Sequence, residues 1–91
     1  MFKSLAIRRI KRMEKYFDEV KEAVQAPKFK MNKSVFRKIR NLERYQDSGL
    51  WLKDYKRDEH GELPADLKRG VLSEDGLYNL LCDIRKCFTL R

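Results

Sequence analysis

Seven carboxylates stand between residues 54 and 75: Asp54, Asp58, Glu59, Glu62, Asp66, Glu74 and Asp75. Paired carboxylates do acid–base or metal chemistry when burial or mutual repulsion drives their pKa values apart. Here they alternate with Lys53, Lys56, Arg57, Lys68 and Arg69, the pattern of a solvated, ion-paired surface. No spacing among them matches a metal-ligand set. The single histidine, His60, precedes Gly61 in a polar run, with no nucleophile indicated within its reach. The run "KRGVLSEDG" contains glycines but lacks the lysine–serine ending of a phosphate loop, and acids stand where phosphate would bind. Cys82 and Cys87 lie five apart in a helical pattern, so they point about 140° apart and a rigid helix cannot bridge them. They read as reduced thiols. These residues predict no catalytic, metal or cofactor site, and hence a chain that is not an enzyme.

Positive charge is the feature with chemical content. Met1 to Tyr45 holds 14 Lys or Arg and 5 Asp or Glu, a balance of +9, whereas Gln46 to Arg91 holds 8 and 9, a balance of −1. Arg8, Lys11, Arg12 and Lys15 fall on one side of a helix, where neighbours three and four apart repel by roughly a few tenths of a kcal/mol per pair. Only Lys15 has an obvious partner, Glu19. Arg37, Arg40 and Arg44 add charge on a second helix. Such faces bind phosphates, or simply keep a small protein in solution. These seven bases are the candidate polyanion contacts. Trp51 and Tyr55, one helical turn apart, read either as a lid over the core or as an exposed aromatic surface for a partner.

The elements that must carry these residues are helical. Ala6, Ile10, Met13, Phe17, Val20 and Val24 are spaced 4-3-4-3-4, the seam of a helix packed along its length, with Phe2 and Leu5 widening it. Pro27 ends that helix, placing it at about 2–25. Asn32 or Ser34 can cap a second helix, about 33–47, whose seam is Val35, Ile39 and Leu42 and which Ser48-Gly49 closes. The short link favours an antiparallel hairpin in which Asp18, Glu19 and Glu22 approach Lys33, Arg37 and Lys38. Leu50 to Arg57 fits a short helix, and Pro64 to Gly70 a turn in which Leu67 faces inward and Gly70 adopts a left-handed cap. Ser73 reads as the N-cap of a last helix, about 74–89, with Glu74 and Asp75 in its first turn and a seam of Leu77, Leu80, Leu81, Ile84 and Phe88. Arg85, Lys86 and Arg91 follow toward its negative end.

The run from Tyr45 to Leu81, "YQDSGLWLKDYKRDEHGELPADLKRGVLSEDGLYNLL", resembles a family of small bacterial proteins catalogued as domain of unknown function 4298. The piece "MEKYFDEV" of the first helix matches more loosely. The resemblance implies a bacterial or bacteriophage source and a helical hairpin followed by the signature segment. It carries no catalytic residues over. Gly76 stands where a better helix former such as alanine is expected, which loosens the first turn of the last helix.

The sequence thus predicts one all-α domain over residues 1–91: an antiparallel helical hairpin, a short lid segment and a C-terminal helix, resembling a three-helix bundle. The start, "MFKSLAIRRIKR", has no uninterrupted apolar run of the secretory kind, and no stretch has the apolar length of a membrane span. The expected setting is bacterial cytoplasm. The expected role is an interaction module working through its helical surface, on a protein partner or a second copy of itself. Weak, sequence-nonspecific nucleic-acid binding by the basic hairpin is the alternative.

Overall fold

In the computed structural model, which describes residues 2–73 and 75–88 without the side chains of Phe2, Lys3, Cys87 and Phe88, the 4-3-4-3-4 stripe folds as α1 (Phe2–Gln25). The expectations placed on Phe2, Glu74, Cys87, Phe88 and Arg91 lie outside the described residues. Ala6, Ile10, Met13, Phe17 and Val20 are buried, and Val24 packs on the edge of the core. After a linker in which Lys28 takes a left-handed φ of 60°, α2 (Lys33–Asp47) begins at Asn32. Its Oδ1 accepts from the Val35 N–H at 3.0 Å, so Asn32 rather than Ser34 is the cap. The seam of α2 is Val35, Ile39, Leu42 and Tyr45, all buried.

The two helices run antiparallel. Lys38 pairs with Glu19 at 3.1 Å, while Tyr45, about two turns further along, shares a partner with Arg9 near the start of α1. Asp18, expected to face α2, pairs instead with Lys68 at 3.1 Å.

Gly49, at φ 88°, turns the chain into α3 (Leu50–Glu59), two residues longer than the expected 50–57. Its end explains the difference. Glu62 N–H donates to Arg57 O and Gly61 N–H to Asp58 O, both at 3.0 Å, with Gly61 at φ 69°. That is the paired hydrogen bonding of a Schellman cap, in which a glycine in the left-handed region terminates a helix. The left-handed cap expected at Gly70 therefore belongs to Gly61. Gly70 has no positive φ and opens a 3₁₀ turn (Gly70–Leu72). A Cβ there would sit 3.1 Å from Glu14 Oε2, so closeness to α1 is what selects glycine.

The last helix, α4 (Gly76–Phe88), starts later than the expected 74. The Asp75 carbonyl accepts its first helical bond, from Asn79 N–H at 2.8 Å. Ser73 does not cap it: its hydroxyl donates to Gly70 O at 2.8 Å, closing the 3₁₀ turn. Gly76 is likewise no defect, because a Cβ would collide with Ser73 Oγ and lie 3.1 Å from Gly70 O. Leu77, Leu80, Leu81 and Ile84 are buried, and α4 lies against α1, α2 and the 3₁₀ turn.

The described residues form four α-helices and one 3₁₀ turn around one core, with no strand, in a body 43 × 20 × 19 Å. The fold is all-α. No helix among the described residues is long and apolar enough to cross a membrane. The seams of α1, α2 and α4 close on one another. Among the described residues, the large apolar side chains left exposed are Leu5, Phe36, Leu52 and Tyr78, one on each helix.

Candidate functional site

The carboxylates divide by burial. Asp54, grouped with a solvated surface by its charged neighbours, has no solvent exposure at all. It stands on the inner face of α3, one turn beyond Leu50. Arg9 grips it with both prongs, Nε to Oδ2 at 2.9 Å and Nη2 to Oδ1 at 2.6 Å. The Tyr45 hydroxyl donates to Oδ2 at 2.7 Å, and Arg57 Nη1 lies 3.6 Å from Oδ1. A forked guanidinium–carboxylate pair of this kind is among the strongest and most directional polar contacts in proteins. The hydrogen bond to Asp54 raises the Arg9 pKa, and burial, reinforced by Asp54, pushes the Tyr45 hydroxyl well above its usual value. Three helices are thereby tied at one point, and every oxygen of the carboxylate is occupied.

Glu14 is the second buried acid. Its Oε1 accepts from Val71 N–H at 2.7 Å, while the carbonyl of the same residue accepts from Trp51 Nε1 at 2.8 Å. The 3₁₀ turn is thus held from α1 on one side and α3 on the other. Arg69 fixes the segment before it, donating to Asp58, to the Pro64 carbonyl, and to Leu67 O at 3.1 Å. These carboxylates do structural work. Asp66 and Asp75 are exposed, as are Glu59 and Glu62; Glu62 has His60 3.8 Å away. Among the described residues no three His, Cys, Asp or Glu side chains gather as metal ligands. Cys82 is a half-buried free thiol.

Trp51 and Tyr55 stack, ring centroids 5.0 Å apart and planes 15° from parallel. Trp51 packs on the core and is bonded to Val71, so it closes the fold in the manner of a lid. Both rings keep part of their surface exposed.

The seven bases lie in two rows. Arg8, Lys11, Arg12 and Lys15 are all exposed on the pole of α1 opposite its seam. The expected Lys15–Glu19 pair is not formed, since Glu19 turns to Lys38 across the hairpin. Arg37, Arg40 and Arg44 are exposed on the corresponding pole of α2. Arg40 lies 3.8 Å from Glu43, an acid also approached by Arg85 at 3.3 Å. Among the described residues the other six bases have no acid at ion-pair distance. Both rows face away from the core, and the Glu19–Lys38 pair lies between Lys15 at the end of one and Arg37 at the start of the other.

Lys11 and Lys15 also border a groove of about 480 Å³ between α1 and the 64–68 turn. Ile7, Pro64 and Leu67 supply its apolar part, and Lys68 adds a third base, but Glu14, Asp18, Glu19 and Asp66 line it too. Three bases against four acids make a poor phosphate pocket. Polyanion chemistry belongs to the outward rows.

Two functional-looking residues escaped the sequence reading, Arg9 and Glu14. Both flank the α1 seam, Arg9 beside Ile10 and Glu14 beside Met13, and opposite charges at seam edges on different elements are the available signal. No curated protein and no solved structure matches the chain significantly. The model of one family, Domain of unknown function (DUF4298), matches residues 10–90. That span takes in the Arg57, Arg69 and Val71 contacts, Glu14, Asp54 and both basic rows from Lys11 onward, and the chain belongs to this family.

Proposed function

We propose that the chain is a non-enzymatic interaction module of bacterial cytoplasm, which binds an acidic partner protein through the solvent faces of its hairpin. The observation carrying this is the contrast in how charge is used. Inside, both oxygens of Asp54 are partnered and Glu14 holds the Val71 N–H; outside, six bases in two rows have no acid partner among the described residues. Uncompensated like charges on one helix face cost stability, and an acidic partner removes that cost. The non-enzymatic reading is supported by the structural commitment of the buried acids. Weak, sequence-nonspecific nucleic-acid binding is the second reading, favoured by the +9 balance of Met1 to Tyr45. Photo-cross-linking in the producing cell separates the two, with the photoreactive residue at Arg12 or Arg37 and, as control, at exposed Lys53 on α3. Discrete protein adducts from the first two sites alone support the first reading. Nuclease-sensitive adducts favour the second, and no excess over the Lys53 control rejects both.

A further inference from the structure

The groove between α1 and the 64–68 turn changes character once its own pairs are set aside. Asp18 is held by Lys68 and Glu19 by Lys38, both at 3.1 Å. Glu14 is buried and accepts from Val71 N–H at 2.7 Å. Lys11 and Lys15 on one wall and Asp66 on the other are the lining charges left without an ion-pair partner among the described residues. We propose that this groove anchors the partner protein by taking one of its acidic, leucine-containing segments. The segment's apolar side chains lie against Ile7, Pro64 and Leu67, and its carboxylates reach Lys11 and Lys15. This rests on the acidic-partner reading and adds the place and chemistry of the anchor.

Size and rigidity suit such an occupant. The groove's volume of about 480 Å³ lies within the range of sites that enclose apolar groups. Ile7, Lys11 and Lys15 follow one another at single helical turns, so the α1 wall spans about 12 Å from its apolar end to its second base. The opposite wall is fixed in advance, because Arg69 donates to the carbonyls of both Pro64 and Leu67. A preformed wall lowers the ordering cost of binding.

Charge narrows the choice further. A purely apolar ligand would strip water from Lys11 and Lys15 and return no counter-charge. A polyanion would meet Asp66 and leave the apolar lining uncovered. A small carboxylate would answer the two lysines alone, whereas exposed Arg8 and Arg12 continue the bare bases beyond the groove. A protein segment with further acids engages both.

The probe is a fluorescein-labelled peptide, Glu-Leu-Leu-Glu-Glu-Leu-Leu-Glu, with one control in which serine replaces every leucine and another in which glutamine replaces every glutamate. Fluorescence polarisation is read on the full chain at about 50 mM salt, where surface charge is only partly screened. Methyl NMR of Ile7 and Leu67 locates the binding, and circular dichroism checks the fold of each variant. The acidic leucine peptide is expected to bind at least about tenfold tighter than the serine control, the worth of burying one leucine. It should also bind tighter than the glutamine control and shift both methyls. K11Q/K15Q should weaken it more than R8Q/R12Q, which removes the same charge outside the groove. Equal binding of the two acidic peptides, unmoved methyls, or an equal loss in R8Q/R12Q overturns the groove and leaves the acidic-partner reading standing. No binding by any peptide also overturns the groove, while cross-linking from Arg12 and Arg37 decides the acidic-partner reading separately. Octanoate shifting the same methyls as strongly assigns the groove to a small carboxylate, and shifts on raising protein concentration alone assign it to a second copy; either result overturns the proposal.

Discussion

An aspartate without solvent exposure survives in a core because donors converge on it from three helices. Removing Asp54 leaves the Arg9 guanidinium, itself only a quarter exposed, without its counter-charge. Breaking such a pair from one side costs about 3–5 kcal/mol. Asp54→Ala is therefore expected to lower stability by that amount in urea denaturation, far more than alanine at Asp66 or Glu59. Tyr45→Phe removes one hydrogen bond to a charged acceptor, a loss of about 1.5–3 kcal/mol. It also carries a pH signature. Burial and the hydrogen bond to Asp54 raise the Tyr45 pKa above its ordinary value of 10.0. The unfolded chain thus gives up this proton first, so the stabilisation is complete below about pH 10 and declines as pH climbs past it. Denaturation between pH 8 and 11 should show the gap between wild type and Tyr45→Phe narrowing above pH 10; a constant gap contradicts the assignment. None of this was legible in the run "KDYKRDEHGE". Burial in a ten-residue helix is decided by what packs across it, and local alternation of charge gives the wrong answer for Asp54.

Periodicity served the elements well where they are long. The stripe of α1 and the seam of α2 each repeat over several turns, enough to place both helices and their antiparallel pairing. Short segments were harder, because their punctuation is ambiguous. Gly61 and Gly70 both follow a helix-like or turn-like run, and the sequence does not say which adopts a left-handed φ and which lies against a neighbour. Ser73 could accept as a cap or donate into a turn, and it donates. Gly76→Ala tests this geometry. Helix propensity favours alanine by about 1 kcal/mol, but overpacking against Ser73 and Gly70 costs about 1–3 kcal/mol. The variant should melt lower than wild type, and Ser73→Ala added to it should recover part of the loss. Lys28 offers the opposite case. An L-residue in the left-handed region is strained by about 1–2 kcal/mol, of which glycine's extra chain entropy returns about 0.5–1. Lys28→Gly is expected to stabilise by about 0.5–1 kcal/mol, raising Tm by about 2–8 °C. A lower Tm would mean that the Lys28 backbone is not where the linker is strained.

At the scale of the whole molecule, charge and packing are separable. The core is closed by residues that face inward, while the basic rows face outward on two helices. The net +8 is thus a property of the surface that the fold does not require. The R8Q/K11Q/R12Q/K15Q variant should accordingly fold, with a Tm equal to or a few degrees above wild type at low salt. The difference should vanish near 1 M salt, where the Debye length is about 3 Å. A large drop in Tm would show that the row supports the fold. The location of these rows was legible in the sequence, because exposure opposite a seam follows from helical spacing alone. The loss of Glu19 to Lys38 was not, since it depends on how two helices share one core.

The Val71 peptide joins Glu14, 57 positions earlier in the chain, to Trp51, 20 positions earlier. Both bonds can form only after distant parts of the chain have met, so closing this loop is a late event in folding. Trp51 is the single tryptophan of the protein, and its indole is fixed at that junction, stacked on Tyr55. Its fluorescence is thus a built-in reporter of whether the signature segment has docked. In refolding it should trail the circular dichroism of the long helices, which draws on backbone hydrogen bonds only four residues apart.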